Sequence, residues 1–270
     1  MAVREIQAKS MLQKSGLPGA QYVVNPYVGC VHGCVYCYAR FMKRFTGHNE
    51  PWGRFLDARV NAPELLRREL ARRRAPLEGA VFLSSVTDPY QPPEARYRLT
   101  RGVLEALLDH GAAVDILTKS DLVLRDLDLL RQFKTCTVGL SLSTLDDALA
   151  RRTEPRATPP TKRRAALQAL HDAGVRTYAF ISPYLPQLSA GIEELLEALA
   201  GAVDEVGVEA LNPSGANWAG VEAAIHRHYP ERLETHRAAV RDAGYWAALE
   251  LQARQAAARL GIRFTGFYRH

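Results

Sequence analysis

Short apolar runs recur along this chain at a spacing that limits the folds open to it. Each is rich in Val, Ile, Leu, Phe or Tyr, and their starts lie 23 to 40 residues apart, the scale of βα units. The runs are Ala80–Ser84, Val114–Thr118, Thr137–Leu142, Thr177–Ile181 and Val206–Ala210, and Tyr22–Val24 is a candidate first strand. Strands that alternate with helices predict an α/β fold with a parallel sheet and helical crossovers.

Capping residues mark the helices between these runs. Helices are predicted to open at Asn61, Thr100, Thr161 and Ser189 and to end near Gly111, Gly174 and Gly201. Beyond Val221 the chain is rich in Ala and Arg, helical in pattern over about 244–260, and strand-like at its end. We therefore predict a core over residues 1–215 and a C-terminal extension over 216–270 that packs on it.

Composition sets the class of protein. The 270 residues suit one or two domains with a core that needs no disulfides. The sequence contains no run of 18 apolar residues, so it predicts no membrane span. The N-terminus has no apolar core typical of a secretory signal. We therefore expect a cytoplasmic protein with no membrane partner. The net charge of +6 permits an anionic partner without requiring one.

Polar residues follow each predicted strand. These segments are Ser84–Asp88, Thr118–Ser120, Ser141–Thr144, Ser182–Tyr184 and Leu211–Pro213. Helix caps and turns account for some of these residues, but a cap does not require Lys119. Because ligands bind at the carboxyl ends of parallel strands, the sequence predicts a site there.

A cysteine motif, Cys30, Cys34 and Cys37, carries the chemistry as C-x3-C-x2-C. Reduced thiols this close indicate a metal-binding or catalytic site rather than disulfides, and four irons in a cubane normally take four cysteines. With three, one iron keeps an open position where a small molecule can bind. Gly29 and Gly33 allow the backbone to wrap tightly around such a centre.

Two alternatives concern the fourth ligand. Cys136 lies five residues before Ser141, towards the opposite end of the strand, and we expect it to pack in the interior instead. The spacing also allows a zinc site completed by His32 or His48. We expect His32 to be an exposed loop residue or a supporting group near the metal.

The segment CVHGCVYC resembles the cluster loop of radical S-adenosylmethionine (radical SAM) enzymes. The segments LSSVTDPYQPPE, ILTKSDLVLRDLDLL and GLSLSTLDDALARRTEP are similar to the spore photoproduct lyase-like branch of that superfamily. The resemblance covers most of residues 22–215. It implies a partial (β/α)6 TIM-like barrel, a [4Fe–4S] cluster and S-adenosylmethionine as cofactors, and a flavodoxin- or ferredoxin-like one-electron reductant as partner.

The resemblance also implies roles for individual residues. Cys30, Cys34 and Cys37 would hold three irons, and Tyr36 would pack on the adenine. The methionyl amino group would bind Ser84, Ser85, Thr87 or Asp88. Lys119 and Ser141 would contact the methionyl carboxylate and the ribose, and Asn212 would flank the adenine. The reduced cluster would cleave S-adenosylmethionine to a 5′-deoxyadenosyl radical that abstracts hydrogen from the substrate.

The chain departs from the branch at one position. Spore photoproduct lyases carry a hydrogen-donating cysteine after the second strand, and Ser85 aligns there. A serine O–H bond is too strong to return hydrogen to a carbon radical, so thymine-dimer reversal by that route is disfavoured. Tyr90, Tyr97 and Tyr184 are weak candidates for a substitute donor, each with structural packing as the alternative.

Three functions stay open. The stretch Arg151–Arg164 is rich in arginine and proline and is predicted to be a long loop over the site face, which favours a nucleic acid or nucleotide substrate. The same radical chemistry on a peptide or small molecule is the second possibility. The third is a zinc-stabilised nucleic-acid-binding module without enzymatic activity.

Overall fold

A computed structural model describes residues 1–17 and 19–269, without the side chain of residue 216. The strands are β1 Ala2–Ile6, β2 Gln13–Lys14, β3 Ala20–Val24, β4 Tyr27–Val28, β5 Phe55–Arg59, β6 Ala80–Leu83, β7 Ala113–Thr118, β8 Cys136–Ser141, β9 Arg176–Tyr184, β10 Glu205–Ala210 and β11 Arg263–Tyr268. The α-helices are α1 Ala62–Ala71, α2 Glu94–Tyr97, α3 Leu99–Asp109, α4 Leu127–Leu130, α5 Asp147–Thr153, α6 Pro160–Asp172, α7 Ile192–Glu197, α8 Gly215–His228, α9 Leu233–Arg241 and α10 Ala243–Arg259. Three 3₁₀ helices cover Tyr38–Phe45, Asp121–Asp126 and Pro230–Arg232.

The chain divides into two compact units. The first unit comprises Met1–Gly33, Ala39–Gly139 and Ala173–Val175, and the second comprises Cys34–Tyr38, Leu140–Asp172 and Arg176–His270. The cysteine motif therefore passes from one unit into the other along the chain. The predicted division into 1–215 and 216–270 stays a prediction.

The first unit contains a parallel sheet in which β6 pairs with β3 on one side and β7 on the other. Side chains alternate along β7, so Val114, Ile116 and Thr118 are buried while their neighbours are half-buried. Thr118 thereby enters the interior at the end of the strand. Helices α1 and α3 pack against each other, and Leu66 of α1 and Leu104 of α3 are completely buried.

A small sheet in the first unit was not predicted. β5 pairs in parallel with β1 and antiparallel with β4. Tyr27 and Leu56 pack in a buried cluster beside this sheet. The segment FLDAR lacks the alternating pattern of a half-buried strand because nearly all of β5 is buried.

The second unit is built around parallel β9, β10 and β11. Val206 pairs with Ala179 on one side and Phe264 on the other. The predicted C-terminal strand is thus β11, and it follows α10, whose bounds differ by one residue at each end from the predicted helix. α10 packs on α7 through apolar faces that bury Leu195 and Ala256.

Two predicted helix starts were wrong. Thr100 lies inside α3 and is completely buried, while the helix is preceded by Arg98 with a left-handed φ of 52°. Ser189 precedes α7 by three residues and donates its hydroxyl to the carbonyl of Ser143 instead. In both cases a capping-type residue has a tertiary hydrogen-bond partner that local spacing does not reveal.

The predicted long loop over Arg151–Arg164 was also wrong. α5 runs to Thr153 and α6 begins at Pro160, so only six residues connect them. Arg163 is completely buried on α6. In the part of the chain that the structure describes, no helix is both long and apolar enough to cross a membrane.

Candidate functional site

The first half of the cysteine loop is anchored by the segment that follows β6. The Thr87 hydroxyl donates to the carbonyl of Gly29. The Gln91 side chain accepts from the backbone N–H of Val31 at 2.9 Å and donates to Thr87 at 2.9 Å. Gln91 is completely buried. This pairing holds the backbone on both sides of Cys30 without using the thiol.

Asp88 is the centre of a second set of hydrogen bonds in the same unit. Its carboxylate accepts from the Thr118 hydroxyl at 2.7 Å, from the backbone of Lys119 at 2.8 Å and from the backbone of Tyr90 at 2.9 Å. The Nδ1 atom of His32 lies 3.5 Å from the same carboxylate. Asp88 therefore ties the cysteine loop to the end of β7.

His32 is consequently not an exposed loop residue. Its side chain is buried against Asp88. The supporting role that was the other expectation for His32 agrees with this position. The histidine lies between two cysteines in sequence, but its ring faces a carboxylate that anchors the loop.

Ser84 differs from the other three candidates for the methionyl amino group. Its hydroxyl is buried and has no hydrogen-bond partner among the described residues. Its φ of 70° is left-handed, a conformation that costs a non-glycine residue about 1 to 3 kcal/mol. Thr87 and Asp88 are engaged in anchoring the loop, whereas the Ser84 hydroxyl retains its capacity to bind a ligand.

The second half of the cysteine loop is anchored within the second unit. The Val35 N–H donates to the carbonyl of Thr153 at 2.8 Å, and the Tyr36 hydroxyl donates to the carboxylate of Glu154. The Ser143 hydroxyl lies 3.1 Å from the same Tyr36 oxygen. Burial, and then the negative charge of Glu154, raise the pKa of Tyr36 well above its usual value. Tyr36 is thus a protonated donor near neutral pH.

Glu154 is balanced by a buried arginine. Its second carboxylate oxygen pairs with Arg163, which is completely buried. The remaining Arg163 donors reach the carbonyls of Thr158 and Ser141, each at 2.6 Å. Burial by itself lowers the pKa of Arg163, but the Glu154 carboxylate outweighs it and the pKa is raised. The pair is charged and well supplied with hydrogen bonds, as a buried ion pair requires.

The strand ends of the second unit form a connected polar row. The hydroxyls of Ser141 and Ser143 donate to the carbonyl of Ser182 at 3.2 and 2.9 Å. The Ser182 hydroxyl donates in turn to Glu209 on β10. The sequence predicted Ser141 but missed Glu209. Glu209 lies inside an apolar run, and its charge there was the signal that could have identified it.

Most of the other predicted residues have local partners. Lys119 and Asn212 are half-buried, and the Asn212 side chain accepts from the Ser214 hydroxyl at 2.7 Å. Tyr90 is completely buried beside Asp126 and Glu94, and the Tyr184 hydroxyl donates to the carbonyl of Ala190 at 3.1 Å. The position of Tyr184 favours its structural alternative, whereas the buried Tyr90 hydroxyl, like that of Ser84, has no hydrogen-bond partner among the described residues.

The cysteines supply the soft donors of the site. Cys30 and Cys34 are buried and Cys37 is half-buried. Across residues 1–17 and 19–269, no group of three or more His, Cys, Asp or Glu side chains is arranged around a common point suited to a metal ion. Three thiols within eight residues of sequence nevertheless match the ligand chemistry of an iron–sulfur centre, and the backbone of the loop is held by hydrogen bonds in both of its halves.

The histidines named for a zinc site are engaged elsewhere. His48 Nε2 lies 2.8 Å from Asp57, and its Nδ1 lies 3.1 Å from Glu50. Its ring stacks on Phe55 with centroids 4.3 Å apart. With His32 beside Asp88, both rings have partners that hold them in place without a metal.

Comparison with known proteins finds a matching family model and several relatives. The model of the Radical SAM superfamily matches residues 24–199. An uncharacterized protein of Methanocaldococcus jannaschii is 40% identical over 184 residues, which are 68% of each chain. A protein of Pseudomonas phage M6, named a radical SAM Nalpha-GlyT isomerase, is 26% identical over 217 residues, which cover 78% of this chain and 44% of the phage protein.

A solved structure shares the fold. Spore photoproduct lyase complexed with dinucleoside spore photoproduct superposes with a TM-score of 0.70 over 98% of this chain and 82% of the lyase chain. The two sequences are 17% identical. The predicted mixed α/β fold with a parallel sheet is therefore confirmed.

Proposed function

Because this chain belongs to the radical SAM superfamily and is an enzyme of radical chemistry, we propose that Cys30, Cys34 and Cys37 hold a [4Fe–4S] cluster. When bound, the cluster and S-adenosylmethionine supply a 5′-deoxyadenosyl radical for hydrogen abstraction. The observation that carries the proposal is the double anchoring of the cysteine loop: Gln91 holds its first half and Glu154 its second. Enzymes of this superfamily take an external electron, and we propose a flavodoxin- or ferredoxin-like donor.

Ser84 is the residue we propose to bind the methionyl amino group. A buried hydroxyl without a protein partner is costly unless a ligand satisfies it. Lys119 is proposed for the methionyl carboxylate and Ser141 for the ribose, and Asn212 is proposed to flank the adenine. Ser85 is the remaining candidate beside Ser84.

Tyr36 is proposed to orient the adenine, with Glu154 and Arg163 as positioning residues. The hydroxyl of Tyr36 is held by Glu154, and Glu154 is held by Arg163. A ring clamped at its far end loses little further freedom when a ligand stacks on it, and pre-organisation of this kind improves binding. The chain's own contribution is thus to hold the aromatic ring still.

For the substrate we propose a nucleic acid or nucleotide. The dinucleoside in the spore photoproduct lyase complex supports this class. The arginine-rich stretch supports it less than expected, because Arg163 lies inside the protein. The same chemistry on a peptide or small molecule is the alternative.

Anaerobic reconstitution tests the proposal. We expect about four irons per chain and formation of 5′-deoxyadenosine when dithionite and S-adenosylmethionine are added. Cys34→Ala should lose the cluster, and Cys136→Ala, which changes a residue at the start of β8, should retain it. A colourless protein that binds zinc, or a full cluster in Cys34→Ala, would refute the assignment.

A further inference from the structure

The 3₁₀ helix Tyr38–Phe45 begins directly after the last cysteine of the motif. Two of its phenylalanine rings are exposed to solvent to an unusual extent. Phe45 is 68% exposed and Phe41 is 43% exposed. A single exposed apolar residue is common, but two phenylalanines on one short helix form a surface with no covering element in the described residues. Such rings are suited to contact with a partner.

The charged side chains of the helix that carries these rings have one sign. Arg40, Lys43 and Arg44 lie in the same segment, and residues 38–49 contain no Asp or Glu. Glu50 follows, but its carboxylate lies 3.1 Å from His48. The surface is therefore complementary to a polyanion.

Arginine and the rings are arranged as one platform. The Arg44 guanidinium lies 4.8 Å from the centroid of Phe45 and 5.5 Å from that of Phe41. Beside it is an open cavity of about 450 Å³, bordered by the helix and by residues 47–49. Lys43 lies at the edge of this cavity, where its Nζ atom donates to the carbonyl of Asn49 at 3.0 Å. Of the two rings, Phe41 borders this recess together with the cations, and Phe45 is connected to it through Arg44.

We propose that this aromatic-basic surface, Arg40–Phe45 with Gly47–Asn49, binds single-stranded nucleic acid. Unpaired bases would stack on Phe41 and Phe45, and phosphates would pair with Lys43 and Arg44, the combination that single-strand binding proteins use. An acidic protein would match the charges without needing the rings, and the helix is too short to anchor to a lipid surface. This inference rests on the proposed nucleic-acid substrate and deepens it by locating where the strand docks.

Fluorescence anisotropy with labelled dodecamers of dT and of rU tests the proposal. The double variant Phe41→Ala/Phe45→Ala should weaken binding tenfold or more, since stacking contributes about 1 to 3 kcal/mol per base. Lys43→Gln/Arg44→Gln should make the salt dependence shallower by roughly 1.4 in log–log slope, for two phosphates lost. The matched controls Leu251→Ala, which removes an exposed apolar side chain on α10, and Arg72→Gln/Arg74→Gln should bind like the wild type.

Equal affinities in all variants, or equal losses in the controls, would overturn the proposal. The proposal would also be overturned if the surface variants bound the dodecamers normally and lost only the binding of a flavodoxin or of phosphatidylserine vesicles, measured in parallel. The test is separable from the proposed function: 5′-deoxyadenosine formation without added nucleic acid should persist in the phenylalanine variant. If the wild type forms none yet binds the dodecamers, the docking surface stands and the radical chemistry fails.

Discussion

The Tyr36 hydroxyl donates a hydrogen bond to the carboxylate of Glu154, a residue 118 positions further along the chain. Tyr36 lies between the last two cysteines of the motif, so this bond connects the proposed cluster loop to the segment between α5 and α6. Glu154 is in turn paired with Arg163. The loop is therefore held by a buried charge pair, and the order of its aromatic ring depends on that pair.

Removal of the Tyr36 hydroxyl should loosen the loop without unfolding the protein. In Tyr36→Phe one oxygen of the buried Glu154 loses a donor, so we expect a cost of about 1 to 3 kcal/mol in unfolding free energy. Hydrogen exchange of residues 34–37 in the metal-free protein should become faster. Tyr22→Phe, which removes an exposed hydroxyl 3.2 Å from Arg73, is the matched control. Unchanged exchange in Tyr36→Phe would contradict the anchoring role.

Arg163→Met should destabilise the protein far more than the double change Arg163→Met/Glu154→Gln, which removes both charges of the pair. The single change leaves the Glu154 carboxylate buried and unpaired, which costs about 3 to 5 kcal/mol. In Arg163→Met/Glu154→Gln no ionised group is left at the site, so we expect part of the stability to return. Urea unfolding of the two single variants and the double variant measures the coupling. A double variant whose loss equals the sum of the single losses would show that the pair is not coupled.

Ser84→Ala should weaken binding of S-adenosylmethionine while leaving the fold unchanged. Because the Ser84 hydroxyl has no protein partner among the described residues, its removal breaks no hydrogen bond there. A hydrogen bond to a charged ligand group contributes about 1.5 to 3 kcal/mol, so affinity should fall roughly tenfold or more. Titration calorimetry and thermal unfolding give the two values. Thr87→Ala is the contrasting variant, since it should lower stability by breaking the bond to Gly29.

Gly29→Ala should destabilise the protein through a direct clash. An added Cβ would lie 2.8 Å from the Phe55 ring and 2.9 Å from the Phe55 carbonyl oxygen, in a backbone with φ of 84°. Gly111 also has a left-handed φ, 70°, but open space where its Cβ would lie. Gly111→Ala therefore has the conformational cost alone, about 1 to 2 kcal/mol. Urea unfolding should show a greater loss for Gly29→Ala, and equal losses would argue against close packing there.

Because of Cys136, we expect part of the stability of the fold to be lost at alkaline pH. Burial, and secondarily the Asp115 carboxylate, raise the pKa of Cys136 to about 12. An unfolded cysteine ionises near pH 8.5, whereas the folded protein keeps this thiol protonated up to about pH 12. The contribution of the thiol to the free energy of unfolding is therefore complete below pH 8.5 and is lost as the pH rises towards 12. Cys136→Ala should lose less stability than the wild type between pH 8.5 and 10.5 in urea unfolding. Parallel declines would show that the thiol does not take part.

Sequence patterns were a good guide to the strands of the parallel sheets but missed the small sheet of β1, β4 and β5, and the role of the cysteine motif stays a prediction. Both the strand predictions and the motif depend on short-range information: apolar runs form buried strands, and three thiols within eight residues have few roles in a reduced protein. The same patterns predicted that polar residues would follow β6 to β10. They could not rank Ser84 above Asp88, because that ranking depends on which hydroxyl or carboxylate already has a partner.

Errors arose where distant residues compete for the same group. Thr100 and Ser189 have capping chemistry, but each donates to a carbonyl that only the folded chain brings near. The arginine-rich stretch seemed exposed in the linear sequence because charge is normally solvated. Glu154 compensates Arg163 in the interior, and charge compensation of that kind has no signature at nine residues' separation outside a helix.

The order of amino acids alone indicated the class of chemistry, because the cysteine motif and the segments after the strands together resemble one superfamily, although the spacing of the cysteines by itself also allowed zinc. Tertiary structure decided which side chains hold the loop, which hydroxyl stays available and which aromatic rings face solvent. These depend on pairings between residues up to 118 positions apart, as Tyr36 and Glu154 are. Hydrogen-bond satisfaction is a property of the whole packed interior, so no local pattern encodes it.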